Sequence, residues 1–445
     1  MPDADTPPRT GLRTSATTPA TASTAASTPT GSTLGADLRH RPGSPGYRRT
    51  SLALFAAGVA TFVLLYSTQA LLPALSQAMN LTPGQASWTV SAASLGVAAA
   101  VIPLSALSER FGRTRVMTLS VFAAALLAVV IPFAPSLGVL VALRAVQGVC
   151  LAGLPATAMA YLAEEVHPAA LPSAMGLYIA GNSIGGMAGR IISDLVAGAV
   201  GGDSGWRWGL GSVAAISLAC AVSFRLLVPP ARHFRPAPLR PRALAAGVAG
   251  HLRNPLLLRL YALGLLFMAV FGAVYTVMGY RLTAAPFSLP TGLVGLIFVV
   301  YLVGTATSAL TGRVVGRLGR RGALYLAIGV TAAGLLLSLP NAIAPALLGL
   351  VLVTGGFFAG HTAASSAVGR TATQARALAS ALYLAAYYVG NSLGGSLGAS
   401  AFRSHGWNGT AVVGLIALTL AAGTTLYATL RARADRRDPA AAVNG

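Results

Sequence analysis

From residue 51 to residue 430 the chain is a succession of long apolar runs separated by short polar breaks. About 20 apolar residues in a helix cross the ~30 Å hydrocarbon core of a bilayer. Lipid offers backbone N–H and C=O groups no partners, so a spanning run must be helical unless strands close into a barrel, and no barrel-like alternation is present. Twelve crossings are expected, over residues 51–74, 85–105, 116–134, 137–162, 172–200, 209–228, 257–282, 290–311, 322–339, 343–366, 376–401 and 409–430. The fold class is therefore an all-α membrane protein. Charged residues are 9% of the chain and hydrophobic ones 55%, where about a quarter of a soluble protein is charged.

The 31 basic residues, all arginines, against 10 acidic ones give a net charge of +21. That balance suits nucleic acid, but basic nucleic-acid domains carry no apolar runs of this length. The expected partner is the lipid bilayer, with no nucleic acid. Cys150 and Cys220 lie inside apolar runs, which argues against a disulfide framework or a zinc site. No GxxxxGK[ST] loop or HExxH pair occurs. No metal, no cofactor and no enzyme activity are expected.

Residues 1–46 are a Ser/Thr/Ala/Pro/Gly tract with too little apolar surface to fold, expected to be a disordered tail. The breaks after even-numbered crossings hold Arg110, Arg113 and Arg115, then Arg232 to Arg253, then Arg313, Arg317, Arg320 and Arg321, then Arg370 and Arg376. The odd-numbered breaks hold Arg207, Arg281 and Arg403. By the positive-inside rule the even breaks and both termini are cytoplasmic.

The chain also repeats. Ser105–Arg115 reads SALSERFGRTR, and 207 residues later comes GRVVGRLGRRG. GNSIGG at Gly181–Gly186 returns 209 residues later as GNSLGG at Gly390–Gly395, and Gly148 has a counterpart 208 residues on in Gly356. A near-constant offset implies two parallel six-helix repeats: a bundle over 47–228, a Pro/Arg-rich linker over 229–254, a second bundle over 255–430, and a tail over 431–445. The expected binding site is a cavity between the halves near midplane.

These residues resemble the major facilitator superfamily. Ser105–Arg113 resembles its G-x-L-A-D-R-x-G-R signature, with Ser105 for the first Gly and Glu109 for the Asp. Gly312 restores the Gly in the second copy, where Gly316 replaces the acid. Arg144-Ala-Val-Gln147-Gly148 resembles the R-x-x-Q-G signature of drug-proton antiporter branches, and the GNSIGG wording resembles the YnfM-type branch of bacterial exporters. The resemblance implies a monomeric secondary transporter of the bacterial inner membrane, a proton-coupled exporter of small amphipathic or drug-like molecules working by alternating access. Export of a sugar or other metabolite is the alternative within the class, and a transport-dead receptor of the same fold the alternative outside it.

Glu109, Arg110, Gly112 and Arg113, with Arg317, Gly319 and Arg320 of the second copy, are the expected gate. The resemblance sets Glu109 facing the N-terminus of the eleventh crossing, where the helix dipole is positive. The plainer alternative is a solvated turn that sets topology. Between residues 50 and 434 the acids are Glu109, Glu164, Glu165, Asp194 and Asp203, and of these only Asp194 lies within a crossing. Arg144 lies at similar depth and Arg190 one turn before Asp194, so an Arg144–Asp194–Arg190 cluster is expected, coupling protons or cementing helices. Gly181, Asn182, Gly185 and Gly186, with Gly390, Asn391, Gly394 and Gly395, are the expected helix seam. Tyr66, Gln69, Gln147, Tyr178, Tyr275, Phe357, His361 and Tyr387 are the expected cavity lining, with Phe271, Phe298, Tyr301, Phe358 and Tyr383 as further aromatic surface.

Overall fold

The computed structural model describes residues 39–437, apart from 235 and 237. Residues 1–38 and 438–445 of the two expected tails lie outside the described residues. Regular structure among the described residues is helical: α1 (Pro45–Ala70), α2 (Leu72–Met79), α3 (Pro83–Phe111), α4 (Arg113–Val130), α5 (Leu137–Leu151), α6 (Gly153–Glu165), α7 (Leu171–Val200), α8 (Gly205–Leu227), α9 (Pro241–Arg253), α10 (Pro255–Thr283), α11 (Tyr301–Leu337), α12 (Ile343–Thr371) and α13 (Arg376–Arg437). A short 3-10 segment, Val294–Val300, leads into α11. The N-terminal strand-like residue His40 pairs with the turn after α6, through its N–H to the carbonyl of Glu165 (2.8 Å) and its carbonyl to the N–H of His167 (3.0 Å).

Ten helical segments among the described residues, with α5 and α6 joined as Leu137–Glu165, are long and apolar enough to cross a membrane. The difference from twelve apolar runs arises in two places. The runs 290–311 and 322–339 share the continuous segment Val294–Leu337, which covers all but their outer ends, and the last two runs both lie in α13. Each segment is interrupted where the backbone leaves helical geometry: at Gly319 (φ 69°, ψ 169°), and at His405 and Gly406 (φ 58°, ψ −150°). Arginine is a good helix former, so helix persists through the basic breaks. Only a residue free to take positive φ turns the chain there. Gly112 (φ 103°) turns it in the same way between α3 and α4, and stands 207 residues before Gly319.

Lipid gives helices no hydrophobic reason to associate, so close backbone approach supplies the packing. An added Cβ at Gly181, Gly185 or Gly189 of α7 would stand 2.5–2.6 Å from the carbonyl oxygens of Phe55, Val59 and Val63 on α1. Gly390, Gly394 and Gly398 of α13 meet Leu265, Ala269 and Ala273 of α10 in the same way. These glycines pack helices within the first set (α1–α8) or within the second (α10–α13). They do not form the expected seam between halves. Gly148 and Gly356 do not share a contact: Gly148 meets Ala93, whereas Gly356 meets Thr331 and Ala327.

The two sets meet through polar contacts on another face of α13, where the expected seam residues Asn391 and Gly395 do lie against α3. Asn391 Nδ2 donates to Ser94 Oγ (2.7 Å), and Ser91 Oγ lies 3.1 Å from Ser396 Oγ. Towards the arginine-poor end, the Tyr280 hydroxyl donates to the Leu72 carbonyl (2.9 Å) and lies 2.6 Å from Ser76 Oγ. The linker contains a helix, α9, with Gly247 close to Leu378 at the start of α13.

Gly185→Ala is expected to destabilise the protein by about 1–3 kcal/mol, because the three atoms met by the new methyl are all backbone atoms of Val59. Gly211→Ala, where nothing lies within 4 Å, is expected to leave the thermal midpoint in detergent unchanged. Equal midpoints for both variants would refute the close-packing account.

Candidate functional site

The expected Arg144–Asp194–Arg190 ion cluster does not assemble. Arg144, 1% exposed, donates to three backbone carbonyls: Thr89 (3.0 Å), Leu64 (2.9 Å) and Leu65 (2.6 Å). It also donates to Gln147 Oε1 (2.6 Å), and Gln147 Nε2 in turn donates to the Ala124 carbonyl (3.0 Å). The planar guanidinium fork is thereby satisfied by neutral oxygens that tie α5 to α1 and α3. Gln147, expected to line the cavity, belongs to this knot.

Arg190 and Asp194 share a face of α7 but their side chains diverge. Arg190 runs back along the helix, as long helical side chains do, and Nη1 donates to the Gly186 carbonyl (2.6 Å). Its Nε and Nη2 donate to Gln69 Oε1 on α1 (2.9 and 2.7 Å). Asp194 faces the second helix set. Its Oδ2 accepts from the backbone N–H groups of Gly292 (3.2 Å) and Gly295 (2.7 Å), at the start of the 3-10 segment that leads into α11. Unsatisfied N–H groups and the positive end of the helix dipole make such a terminus a carboxylate acceptor site. Asp194 is thus a clasp between the sets rather than a counter-ion for arginine.

A cavity of ≈ 100 Å³ lies between the sets beside Arg190. Tyr66, Phe357 and Tyr387 line it as expected, with Phe271, Tyr301 and Phe358. Four expected lining residues stand behind that wall. Gln69 holds Arg190. Tyr275 is engaged by Thr354 Oγ1 (2.6 Å), and His361 Nδ1 by the Tyr383 hydroxyl (3.0 Å). Tyr178 is buried to 3% exposure and does not reach the cavity. Asn182 and Gly186, expected at the seam between halves, line this cavity between the sets. The repeated GNSIG and GNSLG also spell the G-x-S-x-G of hydrolases. Here both lie in mid-helix, in α7 and α13, where the strained strand-to-helix turn of a nucleophile elbow is absent.

At the arginine-rich end, Glu109 stands 3.8 Å from Arg113. Arg113 is held more closely by Glu164 (3.1 Å) and by Ser108 Oγ (2.6 Å). Glu109 lines a cavity of ≈ 280 Å³ together with Leu244 of α9 and with Ala377 and Leu378 of α13. It faces the start of α13 across this space without bonding to it. Arg110, Arg317 and Gly319 are exposed. Glu165 was missed as a site: 1% exposed, it accepts from the N–H groups of Arg232 (2.8 Å) and His233 (2.9 Å), fastening the linker to the first set. The adjacent Glu164–Glu165 pair was the available signal.

Apolar helices of spanning length, buried arginines satisfied by neutral oxygens and an aromatic-lined cavity between the helices define a multi-pass integral membrane protein. Residues 51–303 match the family model of the Major Facilitator Superfamily, and the chain belongs to that superfamily of secondary transporters. It is similar to the MFS-type transporter YybF of Bacillus subtilis (strain 168), 40% identical over 337 residues, 76% of this chain and 82% of that protein. The inner membrane transport protein YnfM of Escherichia coli (strain K12) is 37% identical over 392 residues, 88% of this chain and 93% of its own. Among solved structures, a bacterial homologue of the human lysosomal transporter Spinster, inward-facing and occupied, matches with a TM-score of 0.69 at 17% identity, covering 87% of this chain and 97% of that one. That last likeness is one of fold.

Arg144→Lys keeps the charge but loses the fork that meets carbonyls on two helices. A loss of about 3 kcal/mol in stability is expected, read as a lower thermal midpoint of the purified protein in detergent. An unchanged midpoint would mean the carbonyl knot contributes little.

Proposed function

We propose that this protein is a twelve-span exporter of small amphipathic molecules, built as two parallel six-helix repeats and working by alternating access with protons as the coupling ion. In this reading both termini and the arginine-rich breaks are cytoplasmic. The observation that carries it is the contrast between two carboxylates at opposite ends. Asp194 bridges the two helix sets at the arginine-poor end by bonding the backbone start of the α11 segment. Glu109, at the other end, stands across a cavity from the start of α13. One carboxylate is engaged across the sets while the other is not, which is the asymmetry a rocking-bundle cycle needs.

Proton coupling follows from the chemistry of the clasp. An ionised carboxylate accepts two N–H bonds and sits favourably at a helix N-terminus; a protonated one loses the charge that the dipole attracts. Opening the outer end exposes Asp194 to protons, and re-forming the clasp expels them. Arg190, one turn away on α7, joins that helix to α1 through Gln69, and Arg144 holds the first set rigid while the second moves. Glu109 would make the corresponding latch on α13 in the outward-open state, with Arg110, Gly112, Arg113, Arg317, Gly319 and Arg320 forming the two cytoplasmic turns.

Two experiments test this. In a background with Cys150 and Cys220 changed to Ser, Leu239→Cys is expected to react with a membrane-impermeant thiol reagent from the cytoplasmic side only, and Ala285→Cys from outside only. Reversed labelling would sink the topology. In everted vesicles, efflux activity is expected to collapse with a protonophore. In reconstituted liposomes, Asp194→Asn is expected to reduce proton release on substrate addition at least tenfold while protein still inserts. Proton exchange at the wild-type ratio in that variant would remove Asp194 from coupling.

A further inference from the structure

The cavity beside Arg190 carries a statement about the class of molecule it takes. Arg190 is 1% exposed and yet lines the ≈ 100 Å³ cavity between the helix sets. Of its five N–H donors, the bonds to Gln69 Oε1 and the Gly186 carbonyl account for three. All of these acceptors are neutral. The nearest acid in sequence, Asp194, is engaged by Gly292 and Gly295 and makes no ion pair among the described residues. A buried cation without an anion is a costly arrangement in low dielectric. Arg144 escapes that cost differently, through three carbonyls and Gln147, and it does not line the cavity.

The surroundings of Arg190 keep the guanidinium in place without neutralising it. Its central carbon lies 4.2 Å from the Tyr66 ring centroid, 4.8 Å from that of Phe298 and 4.9 Å from that of Tyr301. The Tyr301 hydroxyl is buried on the same side, against Arg190. Across the cavity Phe271 and Phe357 stack with centroids 4.0 Å apart, presenting a flat apolar wall. The space is well below the roughly 300 Å³ at which drug-sized sites begin.

We infer that this cavity binds a compact organic anion, its acid group on Arg190 and its flat apolar body against the Phe271–Phe357 wall. The inference deepens the exporter reading and rests on it for transport, but not for binding.

Benzoate, benzamide and benzylamine share a ring and differ in charge, so the purified protein in detergent can be titrated with all three. Benzoate is expected to bind and raise the thermal midpoint, with the amide and the amine at least tenfold weaker. Arg190→Gln is expected to weaken benzoate binding at least tenfold and Arg190→Lys less. The wild-type comparison stands alone if either variant fails to fold. Benzamide binding as tightly as benzoate, wild-type affinity in a folded Arg190→Gln protein, or no response to benzoate up to millimolar concentration would each overturn the inference. Transport is read separately in everted vesicles. Arg190-dependent benzoate binding without uptake would support the anion site and refute the exporter. Uptake of the amine or amide without benzoate binding would do the reverse.

Discussion

Close approach between helix backbones is the interaction on which the rest of this protein depends. In a solvent as apolar as the side chains, helices gain little by burying leucine against leucine, and contact must come from fit. Glycines at every fourth position of α7 lie against α1, and a second such series on α13 lies against α10. Once those pairs are fixed, Gln69 on α1 is within reach of Arg190 on α7. The cavity then forms at the meeting of the paired helices, where Tyr66 and Gly186 of the first set face Phe271 and Tyr387 of the second.

Charge is scarce, and the structure spends it on joints. Of the five acids between residues 50 and 434, three connect segments distant in sequence. Glu164 holds Arg113, Glu165 holds the start of the linker, and Asp194 holds the start of the α11 segment. Two of these three bond to backbone N–H groups rather than to arginine. A peptide N–H cannot move independently of its helix, so such a bond reports and controls the position of a whole element. A salt bridge between long side chains would tolerate more slack.

Apolar runs, basic breaks and the internal repeat were legible in the sequence because they depend only on residue order. The break positions of Gly112, Gly319 and Gly406 were legible in outline. That helix would persist through arginine-rich stretches right up to those glycines was not, since propensity and local polarity point opposite ways there. Within the site, depth was legible and direction was not. Arg144, Arg190 and Asp194 are buried in helices of spanning length, but rotamers decided that they turn away from one another. Equal depth suggested an ion cluster because no sequence pattern shows backbone oxygens and amides, which were the actual partners. The same limit applied to Gln69 and Gln147, whose amides serve arginines. In the linker a signal was present: Leu244, Val248 and Leu252 recur every four residues, as they would on one face of α9.

The grip of Glu165 on the linker sets how far α9 can lie from the first helix set. Arg232 and His233 are held to the first set, seven residues separate His233 from the start of α9 at Pro241, and seven residues span at most about 25 Å even when fully drawn out. The linker therefore acts as a short leash. It keeps α9, and through its ~20 Å length the start of α10 at Pro255, at high effective concentration for the first set.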